Sequence, residues 1–277
     1  MYSIKTKIFA ASLAALTFFL PACKKKQTPP RASQSLQTKL YPHETDFPST
    51  EKIWDVSDEN TKLDPTKKYI AFSFDDSPSS TLESIVAVFA AFNEENPDCP
   101  ASATVFFNGY RLSEAPSTPS LVYTAGLELG NHTFSHKNLT RLTESELISE
   151  IEEVDKLLYQ TDKKSRHLLR APFGAFNDEL KQVAPTPLVN WTIDTLDWKG
   201  RTEDEIYDEV FLNKADGKIV LMHDGFPHTV SAIKRLLPDL KEAGYQILSI
   251  SGLSKANDCP LKAGKVYIQA RKKENRG

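Results

Sequence analysis

Between residues 69 and 250 the chain alternates short apolar runs with longer amphipathic stretches, and this alternation restricts the fold more than any other feature of the sequence. An apolar run suits a strand buried on both faces, an amphipathic stretch suits a helix covering it, and their repetition is the pattern of a parallel β/α fold. Strands are expected at 69–74, 103–107, 128–130, 167–169, 188–193, 218–222 and 246–250. Helices are expected at 81–95, 120–125, 143–160, 177–183, 203–213 and 229–243, with Thr143 and Glu146 at capping-box spacing and Gly244 closing the last. Seven strands suit a barrel better than an open sheet. The 277 residues, 40% hydrophobic, are enough for one large core, because single barrel domains of about 200–250 residues are common.

The ends read differently. Lys5 and Lys7 precede an apolar stretch, 8–20, that is short for a bilayer span, so 1–22 reads as an export signal. The order Leu20-Pro21-Ala22-Cys23 resembles a bacterial lipobox, which implies a lipid on Cys23 and attachment to a membrane of the cell envelope. Residues 23–67, polar and proline-bearing, are expected to be a spacer and a wrap onto the domain, with Ile53, Trp54 and Val56 as docking points. The tail, 254–277, is expected to be an extension that frays from 265 onward. Export would place Cys99 and Cys259 in an oxidising compartment where they can pair. A net charge of −3 with scattered basic residues gives no footprint for nucleic acid.

The chemistry-bearing residues lie just past the carboxyl ends of the expected strands, where parallel β/α folds build their sites. In Phe72-Ser73-Phe74-Asp75-Asp76-Ser77-Pro78, a helix cap at Ser77 with Pro78 at the first helical position accounts for the last two residues. It does not account for two adjacent carboxylates at a buried strand end, whose repulsion is costly without a nearby cation. His132 and His136 are spaced one helical turn apart and can grip one metal, although a helix start with two surface histidines has the same spacing. No Glu follows His132, so the zinc-protease pattern HExxH fails. One Asp and two His leave open coordination positions, as in a catalytic zinc-type site. Residues 170–174, 191–198 and 221–224, taken singly, are a turn, a strand with its exit, and a strand end.

Taken in order, SFDDSP, HTFSH, RAPFG, DTLDW and LMH resemble the five motifs of the polysaccharide deacetylases, carbohydrate esterase family 4, also called the NodB homology domain. ATVFF, KIVLMHDG and GYQILSI support the likeness, which covers 68–253. It implies a single catalytic domain with a distorted (β/α)7 barrel, monomeric, acting on an aminosugar polymer. Asp76, His132 and His136 would hold one divalent metal, zinc first, with Co2+, Ni2+ or Mn2+ as alternatives. Asp75 would be the general base, oriented by Arg170. His223 would be the general acid, kept charged by Asp197, with Asp194 supporting that side. The Phe173 N–H would be an oxyanion donor, and Trp198 and Leu221 would line a pocket for the acetyl methyl. Peptidoglycan N-acetylglucosamine is the first substrate implied; chitooligosaccharide and acetylxylan follow, and a non-catalytic glycan-binding lipoprotein is the rival from another class. Ser73 and Ser77 stand where the family's first motif has Thr and Gly, so Ser77 adds a Cβ that would restrict the backbone or crowd the sugar.

Overall fold

Strand β1 (Lys68–Ser77) is the axis of the molecule, buried along nearly its whole length. In the computed structural model, residues 53–56 and 61–272 are described, so the expected export signal at 1–22 and the expected lipid site at Cys23 lie outside the described residues. After β1 come α1 (Leu82–Glu95), β2 (Thr104–Phe107), α2 (Gly109–Glu114), α3 (Thr118–Thr124), β3 (Glu128–Asn131) and α4 (Glu144–Asp162). The second half holds α5 (Asp178–Val183), β4 (Leu188–Val189), β5 (Ile193–Asp194), α6 (Glu203–Asn213), β6 (Ile219–His223), α7 (Pro227–Glu242), β7 (Tyr245–Leu248), α8 (Ile250–Ala256) and β8 (Val266–Tyr267).

All the named strand pairs are parallel. One edge of β1 pairs with β6, while the other is divided: β7 lies beside Lys68–Ala71 and β2 beside Ser73–Ser77. From β2 the sheet continues to β3, then through parallel bridges at Leu169 to β4. The expected strand at 188–193 breaks into two short ones because its partner changes midway. The Val189 N–H donates to Leu169 O at 2.9 Å, and the Thr192 N–H donates to Ile219 O at 3.0 Å. That handover closes the ring onto β6 and is the distortion in this seven-position barrel. The 167–169 segment supplies only bridges, since Pro187 beside it has no N–H to extend a ladder.

Helices cover the outside as the periodicity predicts. On α1, Leu82, Ile85, Val86, Phe89 and Phe92 form one buried stripe, and α7 contributes Ile233, Leu236, Leu237 and Leu240 to the same core. The expected strand at 246–250 ends at Leu248, because the Ser249 hydroxyl accepts the Gly252 N–H and starts α8. Helix α2 was not expected.

Both flanks dock. Trp54 donates its N–H to Leu261 O at 2.7 Å and its indole Nε1–H to Ser251 Oγ at 3.0 Å. The fraying expected from 265 onward is corrected for 265–272: β8 pairs with the open side of β4, and Ala270 is buried with its N–H on Gly217 O. Backbone groups of β4 left without a partner by the broken strand explain that docking. No disulfide joins Cys99 and Cys259. No helix among the described residues is long and apolar enough to cross a membrane.

Candidate active site

A bulge in β1 builds the site. Along this strand Ser73 and Asp75 point into the barrel, whereas Phe72 and Phe74 pack outward, Phe74 edge-on to Phe89 of α1. Strict alternation would send Asp76 outward with Phe74. Instead the register against β2 slips between Phe74 and Ser77, placing one extra residue on β1, and Asp76 adopts φ 64°. The bulge turns the Asp76 carboxylate back to the side occupied by Asp75. A left-handed backbone costs an L-residue about 1–2 kcal/mol. Thr133, His136, Phe173 and Leu196 share that conformation, so most of the non-glycine residues with positive φ lie in these loops.

Asp76, His132 and His136 offer ligand atoms that all lie within 4.8 Å of one another. His136 Nε2 is 3.4 Å and His132 Nε2 3.8 Å from Asp76 Oδ1. His132 Nδ1 is 2.7 Å from the Arg170 carbonyl, which can only accept, so Nδ1 carries the proton and Nε2 keeps its lone pair. Burial, with the neighbouring His132, pushes the His136 pKa down, which also favours the neutral ligand form. The donor set therefore fits a divalent metal of the zinc type. The two histidines do not share a helix, as their spacing allowed; they lie on a loop beyond β3 in which Thr133 and His136 itself are left-handed.

Asp75 is divided between two neighbours. Its Oδ1 accepts from Arg170 Nη1 at 2.9 Å, and its Oδ2 lies 3.6 Å from His132 Nε2, on the metal-ligand side. Burial alone would raise its pKa, but the charge and hydrogen bond of Arg170, with the charge of His223, outweigh burial and hold the carboxyl below its usual range. Arg170 is wholly buried and donates also to Ser73 Oγ, Val189 O and Asn190 O, with its guanidinium stacked on Phe106.

His223 ends β6, directly beside Asp75 in the strand register. Its Nδ1–H donates to Asp197 Oδ1 at 2.7 Å, leaving Nε2 as the nitrogen available for proton transfer. Burial would lower the imidazole pKa, yet the Asp197 hydrogen bond and the charges of Asp75, Asp197 and Asp76 raise it above its ordinary value. Asp197, wholly buried, also accepts from the His223 and Trp198 N–H groups and from Thr229 Oγ1. Asp194 accepts the Leu196 N–H at 3.0 Å and shapes the turn that delivers Asp197.

At the rim, Phe173 is 69% and Trp198 51% exposed, and the Phe173 ring stands edge-on to His136 with centroids 5.0 Å apart. Leu221 is buried on β6, in register with Ser73. Ser77 is no obstacle at the mouth: it is fully buried, with its hydroxyl on Asp224 Oδ2 at 3.2 Å. It does not cap a helix either, since α1 begins five residues further on, at Leu82.

Of the ten sequence-identified site residues, Asp75, Asp76, His132, His136, Arg170, Phe173, Asp197 and His223 are linked by contacts or strand register, Leu221 lies opposite Ser73 on the neighbouring strand, and Trp198 follows Asp197 at the rim. Three supporting side chains escaped sequence reading. Asp224 accepts from Ser77, the Ser79 N–H and both donors of Thr81, and fixes the loop after the paired acids. Glu150 accepts from the Ser135 N–H at 2.7 Å and from its hydroxyl, and Asn131 Oδ1 accepts the Thr133 N–H at 2.9 Å. A signal for Glu150 existed: it lies on the apolar face of α4 with Leu147, Ile151, Val154 and Leu158, where an acid needs a partner.

Barrel and site together define a polysaccharide deacetylase, and the chain belongs to that family. A family profile described as "Polysaccharide deacetylase" matches residues 62–186. Among individual relatives, the chain is 31% identical to a peptidoglycan-N-acetylglucosamine deacetylase of Bacillus cereus, over 68% of this chain and 88% of that one. It is also 31% identical to the peptidoglycan-N-acetylmuramic acid deacetylase PdaC of Bacillus subtilis, over 69% of this chain; the aligned part spans only 40% of PdaC. Among solved structures, a T48 deacetylase with substrate superposes with a TM-score of 0.67 at 30% identity, covering 74% of this chain and 99% of that one.

Proposed function

We propose that the chain is an exported, metal-dependent hydrolase that removes N-acetyl groups from an aminosugar polymer, with peptidoglycan N-acetylglucosamine as the first substrate. The observation that carries this reading is the placement of a base and an acid, Asp75 and His223, side by side on neighbouring strands with the Asp76–His132–His136 donor set next to Asp75. Bound there, a divalent cation, zinc before Co2+, Ni2+ or Mn2+, brings Lewis-acid polarisation of the acetamide carbonyl and acidification of a water.

The chain's own groups do the rest. Asp75 Oδ2 takes a proton from the attacking water, while Arg170 keeps the carboxylate ionised and pointed. The Phe173 N–H donates to the oxyanion that forms on the acetyl carbon, a contribution of about 3–4 kcal/mol where such donors have been removed. His223 Nε2 gives its proton to the sugar nitrogen, the C–N bond breaks, and acetate and a free amine leave. Asp197 holds His223 in the charged form that this step requires. Leu221 and Trp198 flank the acetyl methyl.

The relatives' names support the substrate class, since they include deacetylases of peptidoglycan and of chitooligosaccharide. Residues 68–253 form the catalytic unit in this reading, 254–277 extend it, and 23–67 tether it through a lipid on Cys23 to a membrane of the cell envelope. The test is mass spectrometry of muropeptides, chitooligosaccharides and acetylxylan after incubation, with and without chelator. Loss of acetyl from the muropeptides, abolished by chelator, is expected; no loss from any polymer would overturn the reading and favour glycan binding alone.

A further inference from the structure

Helix α4 carries a second acid on its buried face. Asp155, wholly buried, lies with its Oδ1 2.9 Å from His167 Nδ1, and the other ring nitrogen of His167 is 3.1 Å from Asp162 Oδ2. An ionised carboxylate only accepts hydrogen bonds, so both ring nitrogens donate and His167 is an imidazolium. Burial opposes that charge, but the hydrogen bonds and charges of Asp155 and Asp162 overcome it and push the pKa up to about 9. Arg166 adds a second cation 3.8 Å from Asp155 Oδ2. With both nitrogens engaged, His167 is neither a ligand nor a proton donor for the reaction.

What the cluster touches gives it a different role. Asp155 Oδ1 also accepts from Asn131 Nδ2 at 3.0 Å, and the same amide nitrogen donates to Ile151 O at 2.8 Å. These two acceptors fix the amide's orientation, so Asn131 Oδ1 faces the Thr133 N–H at 2.9 Å. Thr133 is the left-handed residue, φ 67°, immediately after His132. The Asn131 backbone is tied to the strand that follows His167: its N–H donates to Leu168 O at 2.9 Å, and its carbonyl accepts the Arg170 N–H at 3.0 Å. Asn131 thus stands between a metal-ligand candidate and the arginine that orients the base, and Arg170 in turn accepts from His132 Nδ1.

We propose that Asn131, Asp155 and His167 are positioning residues: a charge-anchored brace through which α4 sets the direction of His132 and the height of Arg170 beneath Asp75. The brace rests on the reading above in one respect, that His132 holds a metal. Its members never touch the substrate. They act by holding a strained loop in the one geometry that brings Nε2 of His132 toward Asp76 and His136.

The test uses the full-length protein loaded with Co2+, whose visible absorption band reports ligand geometry and whose affinity is read by chelator competition. Outer partners of metal ligands typically contribute about 10–100-fold to affinity. Asn131→Ala should weaken Co2+ binding by about 10-fold and alter the band, and His167→Gln should do so by about 3–10-fold. Asp162→Asn is the comparator, since Asp162 meets the same ring on the side away from Asn131: it should lower the unfolding midpoint with Co2+ affinity and band unchanged within about twofold. If His167→Gln does not fold, the isosteric Asp155→Asn replaces it with the same expectation. Wild-type affinity and spectrum in Asn131→Ala and His167→Gln would overturn the brace and leave the cluster as a stabiliser of the fold. Failure of the wild-type protein to bind Co2+ would instead overturn the metal reading, and the brace with it.

Discussion

Replacing Arg170 by Met separates the electrostatic role of the guanidinium from its packing. Met keeps an unbranched stem between Phe106 and Trp191 but removes the charge and every donor. Asp75 then stays buried without its main cation, and Val189 O, Asn190 O and Ser73 Oγ lose a donor. Breaking one half of a buried ion pair costs about 3–5 kcal/mol, and that is the stability loss expected near pH 7. The sign follows from the Asp75 environment. In the wild-type protein its pKa is depressed, so it contributes stability above its unfolded value of about 3.9 that is lost as pH falls through the folded value. In Arg170→Met the burial effect, previously outweighed, dominates and lifts the pKa above the usual range. The loss should therefore shrink as pH is lowered and Asp75 takes up a proton. The acid limb of the rate profile should move to higher pH, and the rate near neutrality should fall by about 100-fold or more. Urea unfolding from pH 4 to 8, with a pH–rate profile on an N-acetylated chromogenic or mass-tagged oligosaccharide, measures both. A loss under about 1 kcal/mol that is constant with pH, beside an unmoved acid limb, would refute the argument.

Two further substitutions probe the other side of the site. Asp197→Asn should lower the His223 pKa by removing its hydrogen-bonded carboxylate, so the basic limb of the rate profile moves to lower pH. Because a raised histidine pKa stabilises the fold fully below about 6.5 and less as pH rises through the folded value, that variant should lose most stability in acid, as thermal unfolding across pH would show. Ser77→Gly restores the family's usual residue, and here it removes one of the hydrogen bonds on Asp224, which keeps those from Ser79 and Thr81. A stability loss of about 1–2 kcal/mol with kcat/KM unchanged is expected; a large gain in kcat/KM on polymer would show that Ser77 does obstruct substrate.

The barrel was legible because buried parallel strands and amphipathic helices have different periods. Helix 203–213 falls on its expected bounds, and helix 143–160 is displaced by two residues or fewer at each end. The places of the site motifs were legible because parallel folds build sites at strand ends, while the roles given to Arg170, Phe173, Asp197, Trp198, Leu221 and His223 came from the family resemblance. What the pattern could not carry is local geometry. Alternation says that Asp75 and Asp76 face opposite ways, and only the bulge against β2 brings them together. The His132–His136 spacing has the same letters on a helix as on a left-handed loop. The docked tail rests on a two-residue strand among lysines, too short to rise above its surroundings in sequence. Asn131 and Asp224 looked like ordinary polar residues at strand ends, because their partners are distant in the chain.

The division of labour between the paired acids is the centre of this account, and Asp75→Asn measures it directly. Metal content by elemental analysis and acetate release from a muropeptide are determined on the same purified sample. One divalent metal per chain, the content expected of the wild-type protein too, with acetate release reduced by about 100-fold or more, is predicted. Retained acetate release would contradict the assignment of the proton to Asp75, and loss of the metal would contradict the assignment of the metal to Asp76, His132 and His136.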